Sequence, residues 1–293
     1  MQKIVPHLWY DKEAGEAAGL YTSLFADSSI LSRSTIGDTP SGEVEILTIQ
    51  LAGRRLMLMS GGPYFRFTPA TSFLVACDSN QEVDRLYAGL RGGPDLMPLD
   101  RYPFSERYAW IQDRFGLNWQ LMRMGDIPYE QKITPTLMFT GPVCGKAEEA
   151  LNLYAGLFPG SHPGSMTRYG DGEAPDAAGT VKHGSVTLAG QQFAAMDSAY
   201  EHGFTFNEAV SLMVYCDDQA EIDRYWNALS AHPEAEQCGW LKDRYGVSWQ
   251  IVPTVMDSMM ASGDGEAMGR VTRAFLKMKK FDIAELTRAF ARA

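Results

Sequence analysis

The chain has 293 residues, 45% of them hydrophobic, and a formal net charge of −10 with a pI near 5.0. This hydrophobic share suffices for two ordinary cores, and the negative charge argues against partners such as nucleic acid or anionic membranes. No apolar run is long enough to span a membrane, and the first residues lack a signal-peptide pattern. We therefore expect a cytoplasmic protein.

Hydrophobic periodicity predicts the elements in chain order, beginning with a strand at residues 4–10 and an amphipathic helix at 14–25. Three further strands follow at 30–36, 44–51 and 54–59. Ala52 and Gly53 lie between the last two strands, and a connection of two residues is typical of a hairpin. The first 60 residues therefore predict a β-α-β-β-β unit.

A second unit of the same kind begins with a predicted strand at residues 72–77 and a helix at 81–90. Later strands are predicted at 108–112 and 117–123. Gly125 and Pro128 mark a turn-rich segment that follows them. Beyond Pro253 the apolar spacing is helical, which predicts a tail of packing helices.

The sequence repeats itself, since WIQDRFGLNWQLM at 110–122 returns as WLKDRYGVSWQIV 130 positions later. Three further pairs occur in the same order: KIVPHLWY (3–10) with KITPTLMF (132–139), LYTSLF (20–25) with LYAGLF (153–158), and SFLVACD (72–78) with SLMVYCD (211–217). The duplication predicts an α+β protein of four β-α-β-β-β units related by a pseudo-twofold axis. Two domains are expected at 1–124 and 132–255, followed by a helical tail at 256–293.

These motifs resemble the vicinal oxygen chelate superfamily, which includes glyoxalase I and bleomycin-resistance proteins. The residues that carry the resemblance are the paired units, the LYxxLF helix and the D-x-F/Y-G-x-x-W-Q strand. Within the superfamily, GGPYFRF at 61–67 and FLKMKKFDIAEL at 275–286 resemble the PhnB-like branch, also described as 3-demethylubiquinone-9 3-methyltransferase-like. The resemblance implies two glyoxalase-like, cupped mixed β-sheets.

The resemblance also implies positions for metal ligands, because metal-binding members carry a His in the second unit and a Glu in the last strand. Those positions hold Ser72 and Ser211 in place of His, and Gln120 and Gln250 in place of Glu. Hydroxyl and amide groups bind divalent metals weakly, so we expect no tightly held metal and no other cofactor. His7, in the first strand, is the best remaining candidate to touch a ligand or metal.

Aromatic and amide residues recur in both repeats and predict an aromatic cup for a small-molecule ligand. The predicted ligand-binding residues are His7, Tyr64, Phe65, Phe67, Ser72, Trp110, Gln120, Phe204, Ser211, Trp240 and Gln250. The repeats differ at GGPYFRF and SAYEHGFTF, so we expect one half to bind while the other supports it. No catalytic residue is assigned.

The sequence leaves three functions open. The first is a protein that binds a small organic molecule without a tightly held metal. The alternative is a divalent-metal-dependent lyase or isomerase of the glyoxalase type, or a dioxygenase, built around His7 and Gln120. The third is an interaction module that docks through the helical tail, and a homodimer is also left open. A SAM-dependent methyltransferase is disfavoured, because no glycine-rich turn joins a strand to a helix.

Overall fold

The computed structural model describes residues 2–39 and 41–291. The strands, in chain order, are β1 (Ile4–Tyr10), β2 (Ser29–Thr39), β3 (Gly42–Leu51), β4 (Arg54–Ser60), β5 (Thr71–Cys77), β6 (Arg91–Tyr102), β7 (Ser105–Asp113), β8 (Asn118–Arg123), β9 (Ile133–Thr140), β10 (His162–Arg168), β11 (Val181–Leu188), β12 (Gln191–Ser198), β13 (Val210–Cys216), β14 (Trp240–Lys242) and β15 (Ser248–Pro253). The helices are α1 (Ala14–Leu24), α2 (Asn80–Leu90), α3 (Ala147–Leu157), α4 (Gln219–Leu229), α5 (Val255–Ala261), α6 (Gly265–Phe275) and α7 (Ile283–Ala291). None of these described helices has the length and apolarity that a membrane span requires.

The chain forms two compact units, and each unit combines segments that are distant in sequence. Unit 1 contains Met1–Phe65 and Asn207–Ala293, and unit 2 contains Arg66–Phe206. The sheet of unit 1 has the strand order β14-β15-β13-β1-β4-β3-β2, and that of unit 2 has the order β10-β11-β12-β9-β5-β8-β7-β6. At the centre of unit 1, β1 pairs antiparallel with β13 and parallel with β4.

Each sheet therefore combines one unit from each sequence repeat, and the fourth unit (β13, α4, β14 and β15) lacks one strand of the β-α-β-β-β pattern. The equivalent pairing at the centre of unit 2 joins β5 of the first repeat to β9 of the second. The boundaries predicted at 1–124 and 132–255 divide the chain by sequence repeat, whereas the compact units follow a different division. The tail after residue 255 packs within unit 1, where α6 contacts α7 and β2.

The α+β prediction with two cupped mixed sheets is confirmed, and the hairpin at Ala52 and Gly53 joins β3 to β4. Two details differ from the prediction. The strand β6 was not predicted, because residues 91–102 contain two glycines and two prolines and alternate only weakly. The fourth unit has a 3₁₀ turn at Pro233–Ala235 in the place that β6 takes in unit 2. Trp110 follows the end of α2 by 20 positions, whereas Trp240 follows the end of α4 by 11, which leaves too little chain for another long strand.

The repeated D-x-F/Y-G-x-x-W signature folds into a buried turn. Asp113 Oδ1 accepts hydrogen bonds from the backbone amides of Phe115 and Leu117 at 2.9 and 3.0 Å, and Oδ2 accepts one from Trp119 Nε1 at 2.9 Å. Asp243 makes the same three bonds in the second repeat. The signature thus satisfies a buried carboxylate in a turn and anchors a core tryptophan.

Candidate functional site

A cavity of about 620 Å³ lies inside unit 1, a size typical of small-molecule sites. Strand alternation builds its floor, because residues two apart point to the same face of a sheet. The floor residues are His7 and Trp9 of β1, Met57 and Met59 of β4, Met213 and Tyr215 of β13, and Gln250 and Val252 of β15. The opposite face of β1 packs on α1, where the Tyr10 and Tyr21 hydroxyls lie 3.1 Å apart.

The helical tail supplies another wall of this cavity. Its lining residues are Met256, Asp257 and Met260 of α5, Phe275 at the end of α6, and Leu276 and Phe281 in the connection to α7. The connection also pairs with the chain before β14, since the amides of Cys238 and Gly239 both donate 2.8 Å bonds to the Met278 and Lys279 carbonyls. The tail thus replaces, in unit 1, the β6 strand that borders the sheet of unit 2.

Four aromatic rings form one side of the cavity. Trp9 lies 5.1 Å from Phe65, 6.0 Å from Trp240 and 6.3 Å from Tyr64 between ring centroids, with interplanar angles of 85°, 72° and 80°. These near-perpendicular contacts are favourable for the ring quadrupoles and fix the rings against one another. Tyr64 is 62% exposed, which places it at the rim.

The Gly61-Gly62 pair allows this aromatic packing. A Cβ atom on Gly61 would lie 2.5 Å from the Trp9 indole ring, so any larger residue would displace Trp9. Trp9 Nε1 donates a 2.8 Å hydrogen bond to the Gly62 carbonyl, and Ser41 Oγ donates one of 2.7 Å to the Gly61 carbonyl. The GGPYFRF motif therefore positions Trp9 and delivers Phe65 to the cavity.

His7 is a buried neutral group in the cavity floor. It is 2% exposed, and burial lowers its pKa to about 3. Its ring meets Trp240 edge to face at 5.3 Å, and Nδ1 has no hydrogen-bond partner among the described residues. An unpaired buried nitrogen costs stability unless a bound molecule satisfies it.

Gln250 presents its amide beside His7 through a fixed hydrogen bond. Its Nε2 donates to Ser211 Oγ at 2.8 Å, and both side chains are buried. This bond orients Gln250 Oε1 as an acceptor, and no described residue donates to that oxygen. Gln120 and Ser72 repeat the bond in unit 2, also at 2.8 Å.

The charged groups of the cavity are few. Glu208 pairs with Lys242 at 2.7 Å, and burial raises the pKa of Asp257 despite the nearby Arg55. Burial also raises the pKa of Cys238 to about 11, so its thiol stays protonated near neutral pH. The cavity is therefore mainly apolar, with a few polar groups that could orient a ligand.

On the equivalent face of unit 2, side chains of that unit pack against one another. Tyr108, Trp110 and Met138 form a buried cluster there, joined by the partly buried Met97, Tyr102, Met122, Met196 and Phe204. Tyr108 donates a 2.7 Å hydrogen bond to Gln120 Oε1. The repeat counterpart of Tyr108, two positions before the shared tryptophan, is Cys238, whose side chain is much smaller.

The structure brings together five predicted ligand-binding residues, namely His7, Tyr64, Phe65, Trp240 and Gln250, all of which line the cavity. Ser211 lies behind Gln250 as its hydrogen-bond partner. The remaining predicted residues, Phe67, Ser72, Trp110, Gln120 and Phe204, belong to unit 2. His202, in the SAYEHGFTF segment, lies 2.7 Å from Ser198 Oγ and stacks on Phe204 at 5.0 Å.

Sequence reasoning missed the methionines of the floor and the lining residues of the tail. Met57 and Met59 lie two positions apart in a predicted strand, and so do Met213 and Tyr215. This spacing indicates that each pair faces the same side of the sheet, and it could have identified the floor residues. Nothing local marked the tail residues, because their role depends on where the tail packs.

The side chains at the expected ligand positions do not fit a tightly held metal. Within residues 2–39 and 41–291, no group of three or more His, Cys, Asp or Glu side chains is placed to hold an ion. In unit 1, His7 is accompanied by Ser211 and Gln250, which bond to each other. One imidazole with an amide and a hydroxyl is a weak donor set for a divalent ion.

Two cupped mixed sheets, each built from paired β-α-β-β-β units, define the fold of the vicinal oxygen chelate superfamily. A variant of glyoxalase I from Zea mays shares this fold with a TM-score of 0.53 at 13% identity, over 86% of this chain and 94% of that one. At this identity the likeness concerns the fold alone.

The sequence profile described as 3-demethylubiquinone-9 3-methyltransferase matches residues 2–122 and again 131–252. The chain therefore belongs to this PhnB-like family, as the motifs predicted, and it has the fold of the vicinal oxygen chelate superfamily. A PhnB protein from Bacillus cereus, described as a candidate 3-demethylubiquinone-9 3-methyltransferase, is 36% identical over 42% of this chain and 99% of that one, with a TM-score of 0.39. A protein from Staphylococcus aureus is 32% identical over 42% and 97%, with a TM-score of 0.18. None of the curated proteins compared with the chain matches it.

Proposed function

We propose that the protein binds a small, uncharged, aromatic organic molecule in the cavity of unit 1. The observation that carries this proposal is the cavity itself, with rings on one side, methionines on the floor and two polar groups, His7 and Gln250. Aromatic and thioether side chains favour flat apolar molecules through stacking and sulfur contacts. The neutral His7 and the Gln250 amide supply hydrogen bonds that orient such a molecule without attracting charge.

Two observations favour binding over the metal-dependent reaction and over methyl transfer. The donor set around His7 is weak for a divalent ion, as described above. Both described sheets are mixed, without the doubly wound parallel arrangement and glycine-rich turn that a Rossmann-type methyltransferase uses.

The proposal is tested with naphthalene-sized aromatic compounds and intrinsic tryptophan fluorescence, because Trp9 and Trp240 line the cavity. We expect saturable quenching by at least one neutral compound. Loss of stacking in Trp240→Ala should weaken that binding about tenfold or more. Trp110→Ala, at the equivalent position of unit 2, is the matched control and should retain the affinity.

Circular dichroism and thermal unfolding of both variants show whether they remain folded. Saturable binding that is lost in Trp110→Ala and kept in Trp240→Ala would contradict a site in unit 1. Absence of saturable binding by the whole panel would reject the proposed ligand class.

A further inference from the structure

The duplication provides an internal comparison for the polar end of the cavity. In both units a serine on one strand and a glutamine on its neighbour form the same hydrogen bond of 2.8 Å, and the tryptophan of the adjacent strand pairs in register with that glutamine. The two cups therefore present the same amide oxygen from the same place in the sheet. They differ in what reaches that oxygen.

In unit 2 the hydroxyl of a tyrosine reaches the glutamine amide oxygen. The Tyr108 hydroxyl donates to Gln120 Oε1 at 2.7 Å, and burial raises the pKa of this tyrosine, so the hydroxyl remains a donor. The Tyr108 ring packs in the cluster with Trp110 and Met138. The Gln120 amide oxygen and the Tyr108 hydroxyl thus satisfy each other, while the Tyr108 ring packs among apolar side chains.

In unit 1 the same place has no phenol. Cys238 stands at the repeat position of Tyr108, before the start of β14, and its thiol lies 3.5 Å from the Phe275 carbonyl. Trp240 and Trp9 occupy the repeat positions of Trp110 and Met138, so the flanking surfaces remain apolar and aromatic. Gln250 itself lines the cavity.

We infer that the ligand of unit 1 is a hydroxyaromatic compound, whose ring takes the place of the Tyr108 ring and whose hydroxyl donates to Gln250 Oε1. This inference rests on the proposed function and narrows it to one chemical class. The bound hydroxyl satisfies an oriented acceptor that the protein otherwise leaves open. A compound without a donor at this position fills the same volume and leaves the amide oxygen unsatisfied.

Equilibrium dialysis with 2-naphthol and its methyl ether tests the inference, because the two probes share a ring system and differ in the donor. We expect the intact protein to bind 2-naphthol about fivefold or more tightly, as for one buried neutral hydrogen bond. Gln250→Met keeps the length of the side chain and removes the acceptor, so the ratio of the two affinities should fall towards one. Gln250→Glu restores an acceptor and should restore the preference.

Gln120→Met in unit 2 is the matched control and should leave the ratio unchanged. The ratio within each variant is the readout, so a uniform loss of affinity through poor folding does not mimic the result. Equal binding of both probes by the intact protein, or an unchanged ratio in Gln250→Met, would overturn the hydroxyaromatic inference while the proposed binding function stands. Failure of both probes to bind would count against the proposed function as well.

Discussion

His7 shows how burial sets the chemistry of a single residue. The side chain lies at the centre of the unit 1 sheet, where β1 is flanked by β4 and β13, and water cannot solvate its protonated form. Desolvation therefore lowers its pKa to about 3. At the same position of the second repeat stands Thr136, whose hydroxyl bonds to the Thr134 carbonyl at 3.3 Å. The imidazole of His7 is thus a polar group of the unit 1 floor whose repeat counterpart in unit 2 is a hydroxyl.

This pKa predicts a pH dependence of stability. Below pH 6.5 the unfolded chain binds a proton at His7 and the folded chain does not, so the free energy of unfolding falls as the pH falls towards 3. Between about pH 6.5 and about pH 5, this group should contribute a loss of about 2 kcal/mol. In His7→Leu, the loss measured by urea unfolding between about pH 7.5 and about pH 5 should be smaller by that amount.

The comparison with the intact protein isolates His7, because His183 is retained in both and burial lowers its pKa also. Equal pH dependence in His7→Leu and the intact protein would show that His7 is protonated in the folded state.

At the scale of elements, the tail depends on one glycine for its packing against the sheet. Gly239 has a φ of +84°, and a Cβ atom there would lie 2.5 Å from the Phe281 ring. Its amide bonds to the Lys279 carbonyl, and its carbonyl accepts from Ile251. The equivalent residue of unit 2 is Ala109, within β7, where no tail packs.

Gly239→Ala should therefore destabilise the protein by about 2 kcal/mol or more, through strain at positive φ and the clash with Phe281. Chemical unfolding measures the change, and limited proteolysis reports whether the segment between α6 and α7 becomes more accessible. In a Phe281→Ala background the cost of Gly239→Ala should be smaller, because the clash is removed and the φ strain remains. If Gly239→Ala lowers the free energy of unfolding equally in both backgrounds, the Phe281 ring moves aside at no energetic cost.

At the scale of the whole molecule, neither sequence repeat contains a complete sheet. Strands β1 and β5 of the first repeat pair antiparallel with β13 and β9 of the second repeat, respectively. Each compact unit buries its core only when both repeats contribute to it. Folding of one unit is thus coupled to the presence of both repeats.

We therefore predict that fragments 1–126 and 127–293, produced separately, do not fold as stable monomers, because the central strand of each half-sheet lacks a partner. Mixing them should restore the cooperative unfolding transition of the intact chain, measured by size-exclusion chromatography and thermal unfolding. The intact chain cut at a protease site introduced between residues 124 and 131 is the control, since it carries the same break after folding. A native-like unfolding transition from either fragment as a monomer would contradict this coupling.

The sequence by itself determined the local parts of this protein. Periodicity predicted the β-α-β-β-β units, because it depends on neighbours within a few positions, and the motifs carried the resemblance to the family. The substitutions at Ser211 and Gln250 already argued against a strong metal site. The sequence also predicted five of the cavity residues as ligand-binding, although it did not show that they line one cavity: His7, Tyr64, Phe65, Trp240 and Gln250.

Only the tertiary structure decided which segments share a sheet, where the cavity lies and which side chains close it. Strand pairs such as β1 with β13 join residues about 200 positions apart in sequence, as Ile4 and Val214 do, so no local pattern reports them. The difference between Tyr108 and Cys238 is visible in the sequence, but its consequence depends on packing. In unit 2 the Tyr108 phenol packs in the cup and donates to Gln120 Oε1, whereas in unit 1 the smaller Cys238 side chain leaves Gln250 without such a donor.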